Sequence, residues 1–309
     1  MTDQKNSEFK QLLSGARDAL RPLLPKRLRS DIPVVPVVRL SGAIGMSTPL
    51  RPGLTLGGVA PVLERAFKMR HARAVALLIN SPGGSPVQSH LIYLRIRALA
   101  DEHKLPVIAF AEDVAASGGY MIACAGDQII CDSSSILGSI GVVGATFGFT
   151  KLMERIGVDR RIYTSGERKA TLDPFLPENP QDVDRLKAIQ QEIHDDFIAL
   201  VMDSRGVRLK GPEKDLFSGE YWAGRKSVEL GLADAIGDLR SVLRERFGEE
   251  VLMPVVAPAR GLLSRLRPGG GEMAMLLDRQ ELTSGLTSDL AGDLLSALEA
   301  RALWARYGL

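Results

Sequence analysis

Residues 74–80, AVALLIN, restrict the fold more than any other part of the chain. The run has no alternation of apolar and polar positions, so an extended strand made from it must be buried on both faces. Such strands belong to parallel sheets, whose crossover helices cover the two faces. The flanking sequence supplies those parts. Residues 32–40, IPVVPVVRL, are rich in valine and read as a first strand, with two prolines that suit an edge or a strand start. Residues 57–70 read as a helix, which completes a crossover unit of strand, helix and strand. Ser81-Pro82-Gly83-Gly84 ends the second strand, a helix follows from Pro86 to about His103, and residues 106–110 form a third strand. The expected class is α/β.

A serine stands just past that third strand, within residues 111–127, AEDVAASGGYMIACAGD. Functional groups of open α/β sheets gather beyond the carboxyl ends of the strands, so Ser117 and the Gly83-Gly84 loop are expected at one edge. At a strand-to-helix junction the hydroxyl lies near free N–H groups of the coming helix, a setting that favours negative charge. Gly118 and Gly119 have no Cβ and would let a substrate backbone lie close. Taken alone, Ser-Gly-Gly is more often a tight turn with small residues packed beneath it.

The chain has 309 residues, 45% of them hydrophobic and 25% charged, enough for one large α/β domain with extensions. A net charge of +2, without aromatic and basic residues interleaved, argues against a nucleic-acid partner. Cys124 and Cys131 are too few for a disulfide framework or a structural zinc site, and no metal or cofactor is expected. Buried reduced thiols suit a cytoplasmic location. No run reads as a transmembrane helix: the longest uncharged stretch, residues 133–150, is broken by Gly138, Gly141, Gly144 and Gly148. The first residues also lack the apolar core and cleavage site of a signal peptide. Instead, residues 7–29 place Phe9, Leu12, Leu13, Ala16, Leu20 and Leu23 at helical spacing among basic residues. That pattern fits a helix lying on an anionic membrane surface and, equally, one docked on protein.

Downstream, residues 128–131, 141–143 and 160–164 read as short strands and residues 151–156 as a helix. Residues 180–204 form a long amphipathic helix, with Val183, Leu186, Ile189, Ile193, Phe197, Leu200 and Val201 on one face. A helix at 225–230 and a strand at 233–236 close the body. Beyond residue 250, Pro254, Pro258, Pro268 and Gly269-Gly270-Gly271 mark a linker, and residues 287–306 read as a terminal helix. The expected organisation is a basic amphipathic segment at 1–30, one main domain at 31–250, and a linker with a C-terminal helix at 251–309.

Five motifs then occur in order: Ser81-Pro82-Gly83-Gly84, Ser117-Gly118-Gly119-Tyr120, Gly138-Ser139-Ile140-Gly141-Val142, residues 165–169 with Pro174-Phe175 after them, and residues 224–234. Together they make the chain resemble the signal peptide peptidase A (protease IV) family of serine peptidases over roughly residues 34–239. The resemblance implies a Clp protease/crotonase-like fold of repeated β-β-α units, here with helical N- and C-terminal extensions. It also implies a serine and lysine dyad in place of a Ser-His-Asp triad. Carried over by position, Ser117 is the nucleophile and Lys169 the general base. A serine attacks an amide only when a base takes its proton, and a lysine is such a base only where burial or nearby positive charge, here from Arg168, favours its neutral form. The oxyanion needs two N–H donors, for which Gly118 and Gly84 are the candidates and Gly83 a weaker substitute.

The resemblance further implies peptide substrates, such as cleaved signal peptides or membrane-protein fragments, cut through an acyl-enzyme. A ring-like homo-oligomer that can share its dyad between subunits follows from it too. Of the four histidines only His194 comes after Ser117, and on the amphipathic helix it reads as facing solvent or capping a packing edge. A Clp-type triad, with its histidine shortly after the serine, is therefore disfavoured. Two alternatives stay open. A crotonase-type acyl-CoA enzyme would leave the Lys169 motif unexplained, and a non-catalytic scaffold would be expected to have lost a dyad residue. Family members with tandem units and membrane spans exist, whereas this chain has one unit and no spanning helix, so the expected location is cytoplasmic with peripheral contact to the membrane.

Overall fold

The computed structural model describes residues 32–45, 53–166, 168–257, 301, 302, 304, 305 and 307. The helix expected at 7–29 lies outside them, as does most of the one expected at 287–306, of which residues 301, 302, 304 and 305 are helical.

Five strands, β1 (Val37–Ser41), β2 (Val75–Ser81), β3 (Val107–Ala116), β4 (Gln128–Cys131) and β7 (Ala235–Ile236), run parallel in that order. The crossovers are α1 (Leu56–Phe67), α2 (Pro86–His103) and α3 (Gly118–Ala123). Alternate residues of the strands serve different cores, as strands buried on both faces must. Val75, Leu77 and Ile79 of β2 pack with the side chains of α1, α2 and α3. Ala76 and Leu78 face the opposite side, with Leu243 of α8 (Leu239–Phe247) and Val251. This is the α/β class, built on a parallel sheet, that the sequence led us to expect.

Several elements differ from expectation. The first strand begins at Val37, because Pro33 and Pro36 have no N–H to give the ladder. Residues 251–256, expected to open the linker, instead run along β1: Val35 N–H donates to Leu252 O (2.8 Å), Val37 N–H to Pro254 O and Val256 N–H to Val37 O (2.9 Å each). No strand forms at 141–143 or 160–164. Val143 is 68% exposed and Tyr163 90%, so their β-forming side chains have no sheet to pack against. This excursion also holds α4 (Thr150–Ile156), which buries none of its residues. The long helix, α5 (Pro180–Arg205), has the expected limits, but of its apolar face only Phe197 and Val201 are buried.

The difference that matters most for the site is in β3. It runs on past Phe110 to Ala116, through two acids that interrupt the apolar pattern. Both acids are paired: Glu112 accepts from Arg39 (2.9 and 3.1 Å) and Asp113 from Asn80 Nδ2 (2.6 Å). Register with β2 jumps from Ile79↔Ala111 to Ser81↔Ala115, which bends the strand. Its last residues, Val114 to Ala116, pair with a short strand, β5 (Ile136–Gly138), which in turn pairs antiparallel with β6 (Tyr221–Ala223). Ser117 is thus the first residue after a ten-residue strand.

Candidate active site

Ser117 has φ +52° and ψ −123°, a conformation that side chains other than glycine adopt rarely and at a cost of about 1–3 kcal/mol. Its N–H donates to Gly138 O at 2.8 Å and its carbonyl accepts from Met121 N–H at 3.0 Å, so bonds on both sides hold the turn. The side chain caps no backbone N–H of α3. It is half-buried and opens into a cleft of roughly 990 Å³ shared with Gly84, Ser139, Val142, Val143 and His194. The hydroxyl is therefore presented to the cleft by a strained backbone rather than spent on the helix end.

The second glycine loop meets the first at van der Waals range. At Gly83 (φ +98°), a Cβ would stand 2.8 Å from Ser117 Cβ and 2.9 Å from Gly118 N, which no larger residue could tolerate. Gly83 O accepts from Ile44 N–H (2.8 Å) and Ser85 N–H donates to Ile44 O (2.9 Å), clamping the loop on both sides of Gly84. Ser81 Oγ donates to Gly42 O at 2.7 Å and accepts from Gly83 N–H at 3.2 Å. The Gly83 N–H is thereby occupied, whereas those of Gly84 and Gly118 have no acceptor among the described residues. The glycines after the serine do not leave room for a substrate backbone, as expected from the sequence. A Cβ at Gly118 would collide with the Ser89 hydroxyl and one at Gly119 with the Ser81 carbonyl. They let the protein close on itself.

The histidine is not where the sequence put it. His194 lines the cleft, and its Nε2 donates to Ile140 O at 3.2 Å. No hydrogen bond joins it to Ser117 among the described residues. Ser139, which sequence reasoning did not single out as a site residue, also lies in the cleft; it is buried, has φ +53°, and its N–H donates to Glu220 O at 2.7 Å. Its place in the Gly138 to Val142 motif was the available signal. Lys169 is exposed and does not line the cleft; its N–H donates to Gly166 O at 3.3 Å, and its side chain has no ion pair among the described residues. Within one chain, Ser117 lines the cleft and Lys169 does not.

Behind the cleft the supports are polar and buried. Tyr120 donates from its hydroxyl to Leu232 O at 2.8 Å, and burial pushes its phenol well above the usual range. Arg205, at the end of α5, is 1% exposed and donates to both oxygens of Asp234 at 2.9 Å. Burial opposes the Asp234 charge, but the Arg205 hydrogen bonds and the Ile129 N–H (2.7 Å) hold its carboxyl below the usual aspartate range. Cys124 and Cys131 are free and buried, and burial pushes each thiol up to about 12, which leaves them inert near neutrality.

Residues 100–249 match the model of peptidase family S49. A Brucella abortus protein named Na(+)/H(+) antiporter NhaA is 53% identical over 292 residues, which are 94% of this chain and 39% of that protein. This chain thus spans about two fifths of such relatives, and no helix among its described residues is long and apolar enough to cross a membrane. The Synechocystis putative protease slr0021 is 29% identical over 243 residues, 76% of this chain and 87% of that protein. The chloroplastic serine protease SPPA of Arabidopsis thaliana is 32% identical over 216 residues, 66% of this chain and 31% of that protein. By its match to the family model and its similarity to these proteases, the part of the chain at residues 100–249 belongs to peptidase family S49.

Proposed function

We propose that the chain is a serine peptidase in which Ser117 is the nucleophile and Lys169, supplied by a neighbouring copy of the chain in a closed homo-oligomer, is the general base. The observation that carries this reading is the pairing of a strained, cleft-facing serine with two unclaimed N–H groups, Gly118 and Gly84, on loops packed against each other. Ser117 Oγ attacks the peptide carbonyl carbon while its proton passes to the neutral Lys169 amine. The C=O electron pair becomes an oxyanion received by the two N–H groups. Collapse of the intermediate breaks the C–N bond as the lysine returns the proton to the leaving amine. Water, deprotonated by the same lysine, then hydrolyses the acyl-enzyme.

The shared dyad is supported by where Lys169 sits. It lies on the excursion between β5 and α5, whose Phe147, Leu152, Ile156, Val158 and Tyr163 are all more than half exposed. So much apolar surface on one segment is what a subunit interface covers. Enclosure there would supply the dry setting in which a lysine works as a base. The cleft has no acidic, lysine or arginine side chain among its described lining residues, which suits short apolar or unfolded peptides, including signal peptides and membrane-protein fragments. The basic segment at 7–29 would bring the enzyme to an anionic membrane surface.

A second reading is favoured by one observation, the presence of His194 in the cleft, which offers a different base. A fluorophosphonate probe with peptidase assays tests the first. Wild type should be labelled and Ser117→Ala should not, and Lys169→Arg should lose activity because a guanidinium does not deprotonate near neutrality. Near-wild-type turnover by Lys169→Arg rules out the lysine.

A further inference from the structure

A residue far along the chain, Ala302, lines the same cleft as Ser117. Two aromatic side chains fasten the segment that brings it there. Tyr307 is 7% exposed and packs with Val114 and Ala116, at the end of the strand that delivers the serine; Trp304 rests on the same cluster. The Tyr307 ring meets Tyr221 of β6 edge-on, with centroids 5.0 Å apart. Its hydroxyl points to Pro82 O at 3.5 Å, one residue before Gly83, and its N–H donates to Trp304 O at 2.9 Å. One tyrosine therefore touches the serine's strand, the Gly84 loop and the β5–β6 ribbon. At 3.5 Å a hydroxyl bond is at its limit, so the buried ring provides the attachment.

Resting on the reading of Ser117 as nucleophile, we propose that the segment carrying Ala302, Trp304 and Tyr307 is a fixed wall of the substrate cleft. Ala302 limits the size of the peptide side chain lying beside it, and Tyr307 is the positioning residue whose ring holds the wall to the end of the serine's strand and to Tyr221. The methyl group of Ala302 shares the cleft with Val142, Val143 and Ala145, so the subsite takes a small uncharged side chain of an unfolded peptide. The wall is anchored on the end of the strand that delivers Ser117, so substrate size is sensed beside the catalytic atoms rather than at the rim.

The test uses the full chain, with fluorescein-labelled casein as the unfolded probe. Ala302→Trp should raise KM for casein at least threefold, while labelling of Ser117 by diisopropyl fluorophosphate, small enough for a narrowed cleft, changes by a smaller factor. Tyr307→Ala should shift the casein cleavage sites, read by mass spectrometry, toward larger side chains, and Tyr307→Phe should restore the wild-type sites. A KM change below threefold in Ala302→Trp, labelling that falls in step with casein cleavage, or wild-type sites in Tyr307→Ala each overturn the wall. Ser117→Ala, run alongside, separates the two levels. Persistent labelling in that variant sinks the nucleophile and the wall together, whereas lost labelling with unaltered KM in Ala302→Trp sinks the wall alone.

Discussion

Replacing Asp234 by alanine should destabilise the fold by about 3–5 kcal/mol, the usual loss when one partner of a buried ion pair is removed. The structure says why the loss belongs in that range. Arg205 is 1% exposed, and its guanidinium donates to both carboxylate oxygens at 2.9 Å and to Gly231 O at 2.9 Å. Without Asp234 the cation keeps only the carbonyl, and the Ile129 N–H on β4, now bonded at 2.7 Å, is orphaned as well. For a body of this size the melting midpoint should fall by roughly 6–20 °C. The double variant Arg205→Leu with Asp234→Leu should recover most of that, since no buried charge is left unpaired. The pH dependence has a definite sign. The folded-state pKa of Asp234 is lowered, so its contribution is present above the usual aspartate range and is lost as pH falls through the folded value. The gap between wild type and Asp234→Ala, measured by urea unfolding at several pH values, should therefore narrow below about pH 4. A loss under 1 kcal/mol at pH 7, or a gap that is constant into acid, would refute the reasoning.

Two further outcomes bear on the cleft. His194→Gln should keep kcat/KM within about tenfold of wild type, because its ring is committed to Ile140 O; a fall of about 10³-fold or more would instead make it the base. Gly84→Ala should lower kcat about 10²- to 10³-fold, since a Cβ there collides with the Ile44 carbonyl and moves a proposed oxyanion donor, and unaltered kcat would remove Gly84 from that role.

What could be read from the sequence was what local pattern controls. The apolar run of β2 announces itself without partners, and α2 starts where Ser85 accepts from Gln88 N–H with Pro86 in its first turn. The site edge followed from topology, because Ser117 and the Gly83-Gly84 loop both end parallel strands. What stayed hidden depends on partners distant in sequence. Glu112 and Asp113 look like a strand end until Arg39 and Asn80 are seen to pair with them. The helical period set His194 off the apolar face, but Ile140 O holds it in the cleft. The three-residue strands β5 and β6 have too few positions to show an alternation. The wall around Ala302 was invisible for the same reason: only its contact with Tyr221, Val114 and Pro82 gives it a place.

The central claim, a dyad completed between copies of the chain, is tested most directly by mixing two inactive proteins. Ser117→Ala and Lys169→Ala, dissociated together and reassembled at equal concentration, should regain peptidase activity. Intact serine meets intact lysine at about one quarter of randomly formed interfaces in a closed ring, so roughly a quarter of wild-type activity is expected. Verified mixed oligomers that stay inactive would contradict the shared dyad, and a monomer in light scattering that still cleaves casein would contradict the assembly itself.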